Sequence, residues 1–236
     1  MPNLLHTGLE RYFTPEQRAR LSAARVGVAG AGGLGSNAAL MLARCGLGHL
    51  LLVDHDLVEA SNLNRQQYWP RHVGRPKVEA LAELLCELNP DLDVQTRQER
   101  LTPQNLPAIL PVCPIWVEAL DGPDDKSLLV ENALLLDRRV ASASGMGGCG
   151  GAPMSRRSLG NLVLVGDFTT DILVAPPLAP RVTEAAALLA DAVLEMILDG
   201  ELAVGRFFVG GRELLCTKVP FPPTPPILQK NFSLLE

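Results

Sequence analysis

The sequence predicts an α/β fold with a mainly parallel central sheet flanked by helices, and three observations lead to this prediction. Short apolar segments typical of buried strands alternate with helical segments through the first 145 residues. A glycine-rich turn joins the first strand to the first helix of this series. The composition, 47% hydrophobic and 20% charged over 236 residues, is that of a globular protein. Such alternation implies right-handed crossovers between parallel strands that are covered on both faces.

The first predicted elements follow one another closely along the chain. A short strand at 25–29 leads into a helix at 35–45, which a glycine ends, and a second strand follows at 49–53. The next helix, at 74–88, has a proline near its first turn. Its apolar residues recur at intervals of three and four and therefore share one face. They are Val78, Leu81, Leu85 and Leu88.

The alternation continues to residue 143. Strands are predicted at 93–97, 115–120 and 139–143, with a weak helix at 103–110 and a stronger one at 124–136. Each strand is short and apolar or alternating, as expected of a covered parallel sheet.

The pattern changes after residue 144. The segment 145–151 contains five glycines and predicts a bend or a loop of close approach. A further strand at 161–165 and a proline-rich stretch at 175–180 precede a long helix from about 181 to 198. The tail after Cys216 is rich in proline and is expected to be extended, over a surface or a partner.

Charge and cysteine content exclude several classes of protein. The net charge of −5 and the pI of about 5.4 disfavour binding to nucleic acid. No uninterrupted apolar run reaches the length of a membrane span, and the N-terminus lacks the pattern of a secretory signal. The five cysteines are scattered and form no CxxC pair, so neither a disulfide framework nor a zinc site is expected. We therefore expect a cytoplasmic protein.

The glycine turn satisfies GxGxxG between a strand and a helix, which predicts a Rossmann-like nucleotide-binding fold. Its glycines are Gly30, Gly32, Gly33 and Gly35. They permit a tight turn and close approach of the backbone to phosphate, and the helix N-terminus offers free N–H groups. Asp54 ends the second strand, where a carboxylate would hydrogen-bond ribose hydroxyls. A merely tight turn is the alternative.

Cations and a second acid indicate a nucleoside triphosphate rather than a dinucleotide. Arg65 can contact phosphate in a bidentate manner, and Lys77 lies in a first helical turn, where a cation opposes the helix dipole. Asp121 follows the fourth strand and could hold Mg²⁺, since phosphates and water supply the remaining ligands. For each residue a structural role remains the alternative: an ion pair, a solvated helix face or a turn acid, respectively.

The sequence resembles the ThiF/MoeB/HesA family, relatives of the ubiquitin-activating enzymes. The resemblance lies in four motifs in order: GAGGLGSN from Gly30, VDHDLVEASNLNRQ from Val53, GRPKVEAL from Gly74 and EALDGPDDK from Glu118. It implies ATP- and Mg²⁺-dependent adenylation of the C-terminal carboxylate of a small ubiquitin-like sulfur carrier ending in Gly-Gly, with release of pyrophosphate. It also implies a homodimer in which the N-terminal segment of one subunit completes the other's site.

The resemblance carries roles over to individual residues. Asp54 would hold the ribose, Asp56 would belong to the nucleotide site, and Asp121 would bind Mg²⁺. Four further residues would act on the phosphates, of which two are assigned to catalysis with Asp121. The four are Asn62, Arg65, Gln66 and Lys77, and the catalytic two are Arg65 and Lys77.

Three departures from the family pattern shape the expectation. A second arginine often found near the N-terminus is replaced here, after Arg11-Tyr12-Phe13, by Thr14. The two CxxC pairs that many members carry for zinc are absent. The segment 168–180 before the last long helix contains no cysteine, so adenylation without a thiol relay from that loop is expected. The chain most resembles short, zinc-less members tied to the thiamine-pathway sulfur carrier.

We expect one adenylation domain with four parts. These are a helical arm at 1–24, a nucleotide-binding core at 25–145, a sheet extension with a helix at 146–215 and the proline-rich tail at 216–236. Three alternatives remain open at this point: an NAD-dependent oxidoreductase, a non-catalytic scaffold that binds nucleotide and a ubiquitin-like protein, and an enzyme that activates a carboxylate on a modified tRNA base.

Overall fold

The computed structural model describes residues 3–172 and 174–198, together with two short strands at 206–209 and 212–215. The chain divides into two compact units, Met1–Leu198 and Asp199–Glu236. The second unit contains an antiparallel pair of strands, β8 (Arg206–Val209) and β9 (Arg212–Leu215). Cys216 and the proline-rich tail lie outside the described residues.

A seven-stranded sheet forms the centre of the first unit, in the spatial order β3-β2-β1-β4-β5-β7-β6. Its strands are β1 (Arg25–Ala29), β2 (His49–Val53), β3 (Asp93–Arg97), β4 (Ile115–Glu118), β5 (Arg139–Ala143), β6 (Ser155–Leu159) and β7 (Leu162–Gly166). All neighbours pair in parallel except β6 and β7, which pair antiparallel. The α/β fold with a mainly parallel sheet is thus confirmed.

Helices cover both faces of this sheet. They are α1 (Leu4–Leu9), α2 (Pro15–Ala23), α3 (Gly33–Arg44), α4 (Lys77–Leu88), α5 (Leu106–Ile109), α6 (Pro123–Leu135) and α7 (Ala179–Leu198). Side chains of α2, α3, α4 and α7 share one hydrophobic cluster with one face of the sheet. Side chains of α5 and α6 form a second cluster on the opposite face, around the fully buried Trp116. Burial on both sides explains why β1, β2 and β4 read as continuous apolar runs.

The two strands at the edges of the sheet differ from the central ones. Both β3 and β6 are largely exposed, and β6 was not predicted because its sequence, SRRSL, has no apolar alternation. A tight turn through Gly160, with φ of +59°, joins it to β7. Among the described strands β6 pairs with β7 alone, so its conformation depends on that pairing.

Within the described residues, no helix combines the length and the apolarity needed to cross a bilayer.

Candidate active site

The turn between β1 and α3 contains the four predicted glycines, and the structure separates their roles. Gly30 has a φ of +93°, and a Cβ there would lie 2.4 Å from a backbone carbonyl oxygen just beyond β4. Cβ atoms at Gly33 and Gly35 would also meet protein atoms closer than 3.0 Å. A Cβ at Gly32 would find only the Gln66 amide nitrogen, 3.8 Å away. Packing therefore requires three of these glycines, whereas Gly32 leaves open space in which a ligand can approach the backbone.

The start of α3 is free to bind an anion. Gly32 occupies its N-cap position, so no side chain caps the helix. The unpaired amide groups of a first helical turn carry partial positive charge and bind phosphate. Together with the open space over Gly32, this geometry fits a nucleotide phosphate.

Asp54 follows β2 and holds the glycine turn in place. Its Oδ2 accepts the N–H of Ala31 at 2.6 Å, and its Oδ1 accepts the N–H of Asp56 at 2.8 Å. The side chain is largely buried. Because each carboxylate oxygen can accept two hydrogen bonds, Asp54 keeps capacity for a further donor such as a ribose hydroxyl.

Lys77 is the first residue of α4, and its side chain is only 7% exposed. Its Nζ lies 2.7 Å from Oδ2 of Asp56. Partial burial acts to raise the pKa of Asp56, but the hydrogen bond and the charge of Lys77 outweigh it and leave that pKa below its ordinary value. The structure thus excludes a solvated helix face for Lys77 and shows a cation already paired with an acid.

Arg65 lies in the segment after β2, where both its side chain and its backbone carbonyl form hydrogen bonds. Its Nη1 donates to the carbonyl oxygen of Ser61 at 3.1 Å and to Oδ1 of Asn64 at 2.8 Å. The Asn37 amide nitrogen on α3 donates to the carbonyl oxygen of Arg65 at 3.0 Å. This bond ties the arginine segment to the helix that follows the glycine turn, a role that the sequence did not reveal for Asn37.

Asn62 and Gln66 differ in how their side chains are used. The Asn62 side-chain oxygen accepts the N–H of Glu59 at 3.0 Å, which closes a 3₁₀ turn, so this residue supports the loop. The Gln66 side-chain oxygen is buried and has no hydrogen-bond partner among the described residues. A buried acceptor without a donor is costly. A donor on a bound ligand or an ordered water would satisfy it.

The segment 119–121, which follows β4, is held in place by the buried acid Glu118. Strand β4 ends at Glu118, earlier than predicted, because Oε1 of that residue accepts the N–H of Leu120 at 2.7 Å and turns the chain out of the sheet. Lys126 Nζ lies 3.0 and 2.8 Å from the two Glu118 oxygens, and the Ser142 hydroxyl donates at 2.6 Å. Asp121 follows this turn and is exposed.

Two clefts open at the carboxyl edge of the sheet and share the segment 119–121. Cleft A is lined by Gly30, Gly32, Val53, Asp54, His55, Lys77, Glu99, Arg100, Leu101, Ala119, Leu120, Asp121, Gly122 and Asp125. Cleft B, of about 210 Å³, is lined by Gly33, Leu34, Arg65, Gln66, Ala119, Leu120, Asp121, Lys126, Met146, Ile172, Pro177 and Val182. Because both contain Asp121, the two clefts meet at this residue.

The predicted site residues are therefore divided between two places. Lys77 lines cleft A and Arg65 lines cleft B, although both were expected beside the same phosphates. Asp121 is the predicted catalytic residue common to the two. The remaining three predicted residues line neither cleft; they are Gly35, Asp56 and Asn62.

Asp121, the predicted magnesium ligand, lines cleft A together with the carboxylates Asp54, Glu99 and Asp125. Among the described residues, the group whose ligand atoms lie within 4.8 Å of one another is Asp54, His55 and Asp56, and it does not include Asp121. Mg²⁺ needs only one or two protein carboxylates when phosphates and water complete the octahedron. The role of Asp121 as a metal ligand stays a prediction.

Two buried ion pairs beside the clefts were not predicted. One is Glu118–Lys126, and the other joins Asp167, after β7, to Arg181, in the first turn of α7. The signal for each was a single acid at the end of an apolar strand. Partners from elsewhere in the chain cannot be identified from such a signal alone.

Comparison with known proteins supports this fold and its glycine turn. The model of the ThiF family matches residues 6–158. A protein of Emericella nidulans named adenylyltransferase and sulfurtransferase uba4 is 41% identical over 135 residues, 57% of this chain and 28% of that protein. Its namesake in Aspergillus fumigatus is 44% identical over 128 residues, 54% of this chain and 26% of that one. The matched segment thus spans about a quarter of these relatives.

Solved structures share the architecture. E. coli tRNA N6-threonylcarbamoyladenosine dehydratase in complex with ATP superposes with a TM-score of 0.73 at 24% identity, covering 84% of this chain and 96% of that one. E. coli MccB with ATP gives 0.65 at 24% identity, covering 78% and 59%. At this identity the likeness concerns the fold. With the family model matching more than half of the residues, the chain belongs to the ThiF family.

Proposed function

We propose that the protein binds Mg²⁺-ATP in cleft A and adenylates the C-terminal glycine carboxylate of a small ubiquitin-like sulfur carrier. The observation that carries this proposal is the position of Asp121, where a nucleotide cleft and a second cleft meet. Two substrates that approach from different sides can react only where their sites join. A hydride-transfer enzyme would also bring two substrates together at such a junction, and it is the match to the ThiF family that favours adenylation over hydride transfer.

The chain's own residues would divide the work of binding. The amide groups at the start of α3 and the buried Lys77 would bind phosphate oxygens, and Asp54 would accept a ribose hydroxyl. Lys77 would then exchange Asp56 for a phosphate oxygen or share its protons between the two. In cleft B, Arg65 would attract the carboxylate of the carrier.

The reaction is a displacement at the α-phosphorus. A carboxylate oxygen of the carrier forms a bond to that phosphorus while the bond to the bridging oxygen breaks, and pyrophosphate leaves with the electron pair. Negative charge grows on the leaving group, so cations placed beforehand stabilise the transition state. A Mg²⁺ ion held through Asp121 would supply charge neutralisation there when bound.

The class of partner has support from the relatives' names, whereas the pathway does not. The relatives' names combine adenylyltransferase with sulfurtransferase, which favours a sulfur-carrying partner. They do not point to thiamine formation, so that pathway stays a prediction, as does the homodimer. No cysteine lies between Phe168 and Pro180, so we propose that acyl transfer does not continue onto a thiol of that loop.

Calorimetry with Mg²⁺-ATP and, in parallel, with NAD tests the first half of the proposal. We expect heat from ATP only, and weaker binding after Lys77→Ala. Heat from NAD, with no ATP binding, would overturn the nucleotide assignment.

Carrier-dependent exchange of labelled pyrophosphate into ATP tests the second half. We expect exchange with a ThiS-type carrier that ends in Gly-Gly and none with the same carrier lacking its last two residues. ATP binding without exchange, with any carrier tried, would favour a non-catalytic scaffold. Exchange dependent on a tRNA carboxylate instead would favour the tRNA-modifying alternative.

A further inference from the structure

A single buried carboxylate joins three segments of the chain beside cleft B. Asp167 follows β7, and its side chain is fully buried. It accepts hydrogen bonds from the amide groups of Thr169 and Thr170, each at 2.9 Å, and from the Thr170 hydroxyl at 2.6 Å. Arg181 Nη2 donates to Oδ2 of Asp167, the oxygen that also accepts the Thr170 hydroxyl. The loop before α7 and the first turn of α7 are thereby fixed to the end of β7.

The glycine-rich loop is attached to the same cluster. The Thr170 hydroxyl oxygen accepts the N–H of Gly147 at 3.1 Å, and Arg181 Nη1 donates to the carbonyl oxygen of Ala152 at 2.9 Å. A Cβ at Gly145 would lie 2.2 Å from an Asp167 oxygen, so the loop passes directly against the carboxylate. The charges of this pair are largely removed from water, since the Arg181 side chain is only 8% exposed.

These segments supply the apolar walls of cleft B. Met146 lies in the glycine-rich loop, Ile172 follows Thr170, and Val182 follows Arg181. Val182 also packs on the glycine turn, where a Cβ at Gly33 would lie 2.8 Å from its Cγ1. A small displacement of the start of α7 would therefore widen the cleft.

We propose that Asp167 and Arg181 are a positioning pair that fixes the width of cleft B and so restricts the acyl substrate to one with a small terminal residue. Neither residue lines a cleft, and both act through the walls they hold. The proposal rests on the proposed function for the identity of the substrate. It does not rest on it for the rigidity of the walls, which can be measured without any substrate.

The first experiment measures amide hydrogen exchange in the free protein with Arg181→Lys and Asp167→Asn. Lysine keeps the charge but cannot reach both Asp167 and the carbonyl oxygen of Ala152 in a forked arrangement. We expect faster exchange at Gly147, Thr169 and Thr170, and unchanged exchange at Ala31 in the glycine turn. Unchanged exchange in all of them, in a variant that is folded, would overturn the proposal whether or not the enzyme assay succeeds.

The second experiment measures selectivity with a ThiS-type carrier ending in Gly-Gly and the same carrier with its last glycine changed to alanine. We expect Arg181→Lys to raise KM for the glycine carrier about tenfold with little change in kcat, and to raise the alanine-to-glycine ratio of kcat/KM by about tenfold. The Kd for ATP should stay within about twofold. A fall in kcat or ATP affinity at an unchanged selectivity ratio would contradict the proposal.

Arg156→Lys is the matched control. Arg156 pairs with Glu195 on α7 and lines neither cleft. The amide hydrogen-exchange rates, the KM and the selectivity of this variant should therefore equal those of the wild type. The double variant, Asp167→Asn with Arg181→Lys, should be no worse than the more affected single variant if the two residues act as one pair. If the wild-type protein catalysed no pyrophosphate exchange, the proposed function alone would fail. The rigidity of the cleft walls is decided separately, by amide hydrogen exchange.

Discussion

Clefts A and B lie side by side but are built by different means. Cleft A takes its polar residues from the segments that follow β1, β2, β3 and β4 and from the first turns of α4 and α6. Cleft B takes Arg65 from one segment and its apolar walls from three others, after β5, after β7 and in α7. The difference indicates that the polar lining of cleft A depends on turns at the strand ends, whereas the apolar shape of cleft B depends on contacts between segments far apart in the chain.

The two clefts also hold their charges differently. In cleft A, Lys77 is paired with Asp56, whose carboxylate remains partly exposed. Beside cleft B, the acids Glu118 and Asp167 are buried and paired with Lys126 and Arg181. An exposed partner can be exchanged for a ligand at low cost, whereas a buried pair is costly to break and therefore keeps its geometry.

The largest effect is expected where the clefts meet. Asp121→Ala should lower carrier-dependent pyrophosphate exchange by roughly 10²–10³-fold, the range seen when one group that stabilises transition-state charge is removed. Because Asp121 is exposed, the melting temperature should stay unchanged.

Asp124→Ala is the control, since Asp124 is also exposed at the start of α6 but lines neither cleft. If the Asp121→Ala variant exchanged pyrophosphate at the wild-type rate, Asp121 would have no part in the reaction, and the shared segment 119–121 would have no chemical role.

The second prediction distinguishes the members of the Lys77–Asp56 pair. Lys77→Ala should weaken ATP binding about tenfold, about 1.4 kcal/mol, because a buried cation beside the phosphates is lost. Asp56→Asn should leave ATP binding unchanged or stronger, since it removes the competitor for the Lys77 ammonium group. Calorimetry measures both.

Equal losses in the two variants would show that the nucleotide needs the Asp56 carboxylate itself, as the family resemblance implies. No loss in either variant would mean that the pair only supports cleft A.

The third prediction concerns cleft B and the dependence of stability on pH. Burial alone would raise the pKa of Asp167, but hydrogen bonds from Thr170 and Thr169 outweigh it and hold the pKa well below its ordinary value. A lowered pKa in the folded state contributes stability above the unfolded-state value, near 3.9, and this contribution is lost as pH falls below it. Asp167→Asn also leaves the buried Arg181 without its acid, so it should lower the free energy of unfolding at pH 7 by about 3–5 kcal/mol.

Urea unfolding at pH 7 and near pH 3.5 checks this expectation. The difference between wild type and variant should shrink at the lower pH. A difference that is the same at both values would mean that the Asp167 carboxylate is not ionised against its partners in the folded protein.

The smallest effect is expected at Glu118, the buried acid that supports the shared segment 119–121. Ser142→Ala removes one donor to the buried Glu118 carboxylate but leaves Lys126 and the Leu120 amide in place. We expect a loss of about 1 kcal/mol and a fall of roughly 2–4 °C in melting temperature. Ser158→Ala, on the exposed edge strand, should change neither. A collapse of exchange activity at unchanged stability would instead place Ser142 in the reaction.

The sequence predicted cleft A better than cleft B. The bounds of β2, β3 and β5 agree with the predicted strands, and Lys77 lies in the first turn of α4 as expected. Strand β6 was missed, since its conformation comes from pairing with β7 rather than from its own residues. The division of Arg65 and Lys77 between two clefts was also missed, because spacing along the chain does not say on which side of a wall a side chain lies.

What the sequence by itself determined is the alternation of strands and helices up to β5 and the family, because strand and helix periodicity and the glycine turn are local properties. Only the tertiary structure decided that the shared segment 119–121 joins two clefts and that Arg181 reaches Asp167. Those contacts join residues that come together only when the sheet and α7 pack. A buried charge selects its partner through that packing, since an unpaired charge could not remain there.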